Sequence, residues 1–342
     1  MAKERRLIVR ENSEVVEAQT PVIVSASRST DIPAFYADWF LHRLKVGYSA
    51  WTNPFNGARS YVSYADTRLI VFWSKNPQPL LSTGGCLDYL RDKGICTYVQ
   101  YTLNDYDKEL LERGVRPLEE RIDTFKRLVD RLGYGKVVWR FDPMILTNKI
   151  TADDILAKVE NIGDRLRGYA EKLVFSYADI RTYRKVQANL ERSGVKYREF
   201  ESDDMLYIAQ NLARLNEQWG LTLATCGEKI DISQFGITHN KCIDDDLMIK
   251  YFADDKRLMN HLGVDIVTGD LFNAEGTIIR RANRKDKGQR EFCGCITSKD
   301  IGEYNTCPHL CEYCYANTSK ESAASNYQRH KLNPRAETII GR

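Results

Sequence analysis

Five of the nine cysteines in the 342-residue chain fall between Cys293 and Cys314, as Cys293-Gly-Cys295 and Cys307-Pro-His-Leu-Cys311-Glu-Tyr-Cys314. A cysteine that only fills a core is usually a lone, small, buried hydrophobe, so crowding of this kind argues for a bound metal. Cys307, Cys311 and Cys314 form C-x3-C-x2-C with Tyr313 just before the last, and one short loop can then offer three thiolates to three corners of an iron-sulfide cubane. Thiolates ordinarily hold all four irons of such a cluster. Three would leave one iron open to a substrate or cofactor, much as a catalytic zinc keeps a vacant position. A structural zinc is the plainer alternative, since Cys293 and Cys295 with two later thiolates would close a tetrahedron. His309, inside the loop, reads as a loop residue rather than a ligand.

The run from Cys307 to Ala316 resembles the cluster motif of the radical S-adenosylmethionine enzymes, and is most similar to the branch that contains spore photoproduct lyase. The resemblance implies that Cys307, Cys311 and Cys314 ligate a [4Fe-4S] cluster and that S-adenosylmethionine chelates the open iron. It further implies that one electron, from a reductant such as a flavodoxin or ferredoxin, yields a 5′-deoxyadenosyl radical, and that Tyr313 lies beside the adenine. That superfamily carries the motif near its N-terminus, whereas here it is nearly last. A second resemblance runs from about Val22 to Asn317. It rests on Ser25-Ala-Ser-Arg-Ser-Thr-Asp-Ile-Pro33, Val71-Phe-Trp-Ser-Lys-Asn-Pro77, Trp139-Arg-Phe-Asp-Pro143, Thr225-Cys-Gly-Glu228 and Cys242-Ile-Asp244 together with the C-terminal cysteines. These are similar to an uncharacterised bacterial family of unknown function with a radical-SAM-like cysteine cluster at its C-terminus, which implies a cluster and a fold but no reaction.

Other polar residues fall where short apolar runs end. By the superfamily resemblance, Ser29, Thr30 and Asp31 would contact the cofactor's amino group; helix capping by Asp31 explains the same residues without a ligand. Lys75, Arg140 and Asp142 are placed to meet a carboxylate, for which an arginine offers a bidentate clamp, or else to form a buried ion pair. Cys226 and Cys242 precede Cys293 and Cys295, and four thiolates near one edge match a fully ligated second [4Fe-4S] cluster. A zinc ion on the same four, or plain core burial, are the alternatives.

The elements that must position these residues alternate between strand and helix. Apolar runs at Pro21–Ala26, Tyr48–Thr52, Leu69–Trp73, Cys96–Thr102, Lys136–Phe141, Lys172–Ser176 and Leu221–Thr225 read as strands, and an eighth lies near Ile296 to Ile301. The Tyr48 strand can turn at Asn53-Pro-Phe-Asn-Gly57. Helical apolar stripes run from about Pro117 to Leu132, Asp153 to Leu166 and Ser202 to Trp219. Repeated βα units of this number predict an α/β fold, a (βα) barrel of TIM or radical-SAM type, circularly permuted so that the cluster loop is C-terminal. The expected division is a charged leader over 1–20, the barrel over 21–252, an irregular basic connection over 253–292, and the final strand, cysteine loop and tail over 293–342.

Composition narrows the partners. With 43% hydrophobic residues the chain can bury a large core, and no run approaches the roughly 20 apolar residues that span a bilayer. The N-terminus lacks a secretory apolar segment, and metal-type cysteine spacing points to a reducing compartment, the cytoplasm. A net charge of +3, and a basic run from Arg280 to Arg290 without interleaved aromatics, argue against nucleic acid. The expected substrate is a small molecule or peptide. The rival expectations are a non-catalytic binding protein whose zinc or iron-sulfur centre fastens the tail, and a nucleic-acid-associated repair or electron-transfer protein.

Overall fold

The structure, a computed structural model, describes residues 5–53, 56–267, 277–281 and 284–341. Strands β1 (Arg5–Val9), β2 (Val15–Gln19) and β3 (Ile23–Ala26) lead into helices α1 (Ile32–Phe35) and α2 (Ala37–Val46), then β4 (Tyr48–Thr52), β5 (Arg59–Ser63) and β6 (Leu69–Ser74). There follow α3 (Cys86–Asp92), β7 (Cys96–Thr102), α4 (Leu118–Leu132), β8 (Val137–Met144), β9 (Leu146–Thr147), α5 (Ala152–Leu166), β10 (Lys172–Tyr177), α6 (Arg184–Arg192), β11 (Tyr197–Arg198) and α7 (Ser202–Trp219). The remainder forms β12 (Thr222–Thr225), β13 (Thr238–His239), α8 (Asp245–Phe252), α9 (Lys256–Leu262), β14 (Val264–Val267), β15 (Thr277–Arg280), β16 (Lys299–Asp300) and α10 (Lys320–Leu332).

Eight strands make one sheet in the order β13-β12-β10-β8-β7-β6-β3-β16, every pair parallel. Its central strands are apolar runs buried on both faces, as parallel strands under helices must be. One face, with Val24, Phe72, Val99, Trp139 and Phe175, packs in a single core with residues of helices α1 to α7. The other, with Ile23, Leu69, Val71, Tyr98, Val138 and Val174, packs with residues of α8 and α9 and with Cys242, Cys293, Cys295 and Ile296. Along this second face the side chains change from apolar to polar toward the strands' C-terminal ends, where Gln100, Arg140, Asp142 and Ser176 lie.

Seven of the eight expected strands fall in this sheet, and one does not. The fold is a mixed α/β fold on a large parallel sheet, and the strand pairing does not describe a closed TIM-type barrel: among the described residues the edge strands β13 and β16 are not paired with each other. Both edges are only two residues long, too short to zip a seam. Tyr48–Thr52 is not one of the eight strands. It pairs antiparallel with β5 in a separate sheet, β1-β2-β5-β4, because a return within so few residues permits only a hairpin, whereas a parallel partner needs a crossover; Pro54 and Phe55 of its expected turn lie outside the described residues. The eighth strand is β13, which the sequence reading passed over. The charged leader contributes β1 and β2, and the basic connection contains α9 and the β14–β15 hairpin. Within the basic run, Arg280 pairs with Asp245 and Asp246 and Arg281 with Asp265, so both are neutralised, while Ala282 and Asn283 lie outside the described residues. No helix among the described residues is long and apolar enough to cross a membrane.

Candidate functional site

The Cys307–Cys314 loop is tied down by residues at the C-terminal ends of β3 and β6. Thr30 Oγ1 lies 2.7 Å from Thr306 Oγ1 and accepts from the Glu303 amide at 2.9 Å, and the Tyr36 hydroxyl donates to the Thr306 carbonyl at 2.5 Å. His309, a buried residue of the loop, sets Nε2 2.7 Å from Asp31 Oδ2. Asp31 also accepts from the Ala34 amide, which caps α1, from Ser74 Oγ at 2.7 Å and from the Lys75 amide at 2.8 Å. Burial opposes its charge, yet His309 and these donors hold its carboxyl below the usual range. Asp31 is thus committed to binding the loop to the sheet. On the far side, the Glu312 amide donates to Leu111 O at 2.9 Å and the Gly114 amide to His309 O at 2.8 Å. A Cβ on Gly114 would lie 2.7 Å from that same oxygen, so only glycine permits the approach.

The three thiols share this frame. Asn317 clasps the loop, donating from its amide to Cys314 Sγ at 3.3 Å and from Nδ2 to Cys307 O at 2.7 Å. Burial pushes all three thiols up, and for Cys311 this outweighs the favourable charge of Lys75. Burial of this kind disfavours the free thiolate. A cleft of ≈ 330 Å³ opens beside Cys311 and Cys314, lined by Arg113, Arg192 and Lys320 and also by Glu321 and Glu312, the last paired with Arg113 and Lys320.

Tyr313 turns its hydroxyl inward. It hydrogen-bonds Glu112 and lies 3.0 Å from Lys75 Nζ and 3.1 Å from Asn104 Nδ2. Glu112, fully buried, also receives Lys75 Nζ at 2.6 Å. Burial would raise its carboxyl, but Lys75 and Arg121 hold it down to about 2. Lys75 therefore serves this network. Arg140 is likewise engaged, with Asp142, with Gln100 Oε1 at 3.1 Å and with Cys242 Sγ at 3.1 Å, while Asp142 also takes the Ser176 hydroxyl. The guanidiniums of Arg140 and Arg28 both lie over the Trp73 ring, their Cζ atoms 5.4 and 5.0 Å from its centre. Ser29 Oγ sits 3.3 Å from Ser27 Oγ.

The second group of cysteines converges as a chain of sulfurs. Cys226 Sγ is 3.5 Å from Cys242 Sγ, Cys242 interacts with Cys295, and Cys295 with Cys293. Contact with Cys295 draws the Cys293 thiol down to about 7. Among the described residues, the one set of three or more His, Cys, Asp or Glu whose ligand atoms all lie within 4.8 Å is Asp244, Asp245 and Asp246. Lys172, Lys241 and Arg280 neutralise those carboxylates, and Asp244 caps α8.

The sequence reading did not find Glu112, and it gave His309 no partner, whereas Asn104 and the run Ser27 to Asp31, which contains Arg28, could be read as polar residues at strand ends. Glu112 sits in a loop without periodicity and carries no signal; Trp73 was visible only as a strand residue. The model of a family described as a domain of unknown function, DUF1848, matches residues 23–316, a span that contains both groups of cysteines. No curated relative matches the chain.

Proposed function

We propose, for a chain that belongs to the DUF1848 family of unknown function, that Cys307, Cys311 and Cys314 hold a [4Fe-4S] cluster and that the protein is an enzyme of the radical S-adenosylmethionine type acting on a small molecule or peptide. The carrying observation is the docking of the three-cysteine loop beyond the C-terminal end of β3, through Thr30 and Asp31, and onto the loop after β7, through Glu112. Parallel sheets place their chemistry at that end.

The residues present fit the group. The donor set is all sulfur, three thiols rather than four, and they are not gathered within the 4.8 Å that would suit a single ion. When bound, such a cluster supplies one electron to S-adenosylmethionine and so makes an organic radical available. The chain's own tasks are then to fix the loop, through His309 and Asp31, and to keep water out, through the buried Glu112, Lys75 and Tyr313 network. Protein reconstituted without air should hold about four irons at this site, change its paramagnetic spectrum on addition of S-adenosylmethionine, and release 5′-deoxyadenosine. Colourless protein that takes up no iron, or whose Cys311→Ala variant reconstitutes as the parent does, sinks the proposal.

A further inference from the structure

Four further cysteines gather at a seam of the fold. Cys226 directly follows β12 and Cys242 shortly follows β13, at one edge of the parallel sheet, whereas Cys293 and Cys295 shortly precede β16 at the other edge. The two segments touch: the Gly294 amide donates to Asn240 O at 3.4 Å and the Ile296 amide to Ile243 O at 3.1 Å. A Cβ on Gly294 would lie 2.8 Å from Lys241 Cγ and 3.3 Å from Asn240 O, so glycine lets the link between Cys293 and Cys295 lie on that surface. Cys242, Cys293 and Cys295 are buried.

The sulfurs stand in consecutive pairs. Cys226 Sγ is 3.5 Å from Cys242 Sγ, Cys242 meets Cys295, and Cys295 meets Cys293, but no three of the four lie within 4.8 Å of one another. All-sulfur donors take zinc or an iron-sulfur centre, and this pattern separates the possibilities. A single tetrahedral ion would bring every sulfur within about 3.8 Å of every other. A four-iron cubane takes one thiolate per iron at separated corners, so none of its ligands are in contact. A two-iron, two-sulfide centre takes two thiolates on each iron. Its ligands then stand about 3.8 Å apart within a pair, from the tetrahedral angle and a metal–sulfur bond of about 2.3 Å, and further apart between pairs. Cys226 with Cys242 makes one such pair and Cys293-Gly-Cys295 the other.

The surroundings of the sulfurs are those of anions. Cys295 Sγ accepts from the amides of Cys242 and Ile243 at 3.2 and 3.4 Å. Cys242 Sγ accepts from Asn240 Nδ2 at 3.2 Å and from Arg140 Nη1 at 3.1 Å. One sulfur of each pair is therefore held by two N–H groups, though a neutral thiol is a weak acceptor. Arg290 Nη2 stands 4.0 Å from Cys226 Sγ, and Arg28 is within electrostatic reach of Cys295 and Cys242. We propose that Cys226 and Cys242 hold one iron, and Cys293 and Cys295 the other, of a [2Fe-2S] centre at the seam between the two edges of the parallel sheet. Two ferric irons, two sulfides and four thiolates sum to a charge of about −2, which Arg140 and Arg28 balance; the four thiol protons leave as the irons bind. Neither iron is open to a substrate. The centre takes one electron from a one-electron carrier, one ferric iron becoming ferrous, and returns it without a bond being made or broken.

The test uses the full chain with Cys307, Cys311 and Cys314 all replaced by Ala, so that it does not depend on the cluster proposed above. Reconstituted without air from ferrous iron and sulfide, this variant should hold about two irons and about two acid-labile sulfides per chain. After reduction with dithionite its paramagnetic spectrum should stay sharp at liquid-nitrogen temperature, where that of a reduced cubane broadens away. Adding Cys242→Ser or Cys295→Ser should cut the bound iron at least about fivefold. Should the serine variants fail to fold, the metal and sulfide content of the triple variant decides; should the triple variant fail to fold, Cys311→Ala alone takes its place. A folded variant that takes up no iron overturns the site. Zinc in place of iron, or about four irons with about four sulfides, overturns the two-iron centre, and undiminished iron in both serine variants overturns the ligands. Release of 5′-deoxyadenosine is no part of this readout, so the two proposals fail separately.

Discussion

Glu112 joins more of the site than any cysteine does. One of its oxygens takes Lys75, Tyr313 and Asn104, and the other has no hydrogen bond and faces Arg121 at 3.8 Å, with none of the carboxylate exposed. Removing it would leave the Lys75 ammonium without a carboxylate, a loss of about 3–5 kcal/mol, while Arg121 would keep Asp107 and the Asn104 carbonyl. Glu112→Ala is therefore expected to unfold at markedly lower urea, whereas Tyr313→Phe, which deletes one hydroxyl, should lose only about 1 kcal/mol. Equal urea midpoints for Glu112→Ala and the parent would show that the network contributes nothing to stability. The Asp31–His309 pair acts by the same logic in fixing the loop. Asp31 could be read from the sequence as a helix cap, and it is one. Its histidine partner is 278 residues away, beyond the reach of any local pattern.

Among the elements, the long helices were legible because their apolar stripes are self-sufficient signals. Thr151 caps α5 in a reciprocal box with Asp154, and Thr151→Ala should lower stability by about 1 kcal/mol in thermal or urea unfolding. The buried runs of β6, β7, β8, β10 and β12 were legible for the same reason. What failed was pairing. Nothing within Tyr48–Thr52 says whether it joins a parallel sheet or a hairpin, since connection length and tertiary company decide that. β13 is two residues long and its run, Thr238–His239, is polar and exposed. Loop positions were legible only as residue types. Gly114 is an example: in sequence it is one glycine among 21, yet it lets the cysteine loop lie against the chain. Gly114→Ala should push that loop away, so that the reconstituted variant holds less than half the parent's iron at the Cys307 site while far-ultraviolet circular dichroism is unchanged. Full iron loading would show that the loop tolerates the displacement.

For the whole molecule, the tail is strapped to the small sheet. Glu337 receives Arg10 at 2.9 and 2.7 Å and the Tyr48 hydroxyl at 2.7 Å, and its carbonyl accepts from the Ala50 amide at 2.8 Å. Burial opposes its charge, but Arg10 and Tyr48 hold the carboxyl below its ordinary value. A carboxyl lowered on folding stabilises the protein above its unfolded value of about 4.3 and loses that contribution as pH falls through the folded value. Glu337→Gln should thus melt about 2–4 °C below the parent at pH 7, the gap closing in acid. A gap that persists at the lowest pH would mean that packing rather than charge is responsible. The pairing of β3 with β16 reaches just as far, joining Val24 to Lys299 and Ser25 to Asp300. A ribosome adding about 5–20 residues per second needs on the order of 15–55 s to cover the 275 positions that separate Ser25 from Asp300, and during that time the edge of β3 has no neighbour. Bare strand edges recruit other chains, so nascent protein, and any product terminated before residue 293, should depend on chaperones or collect in inclusion bodies.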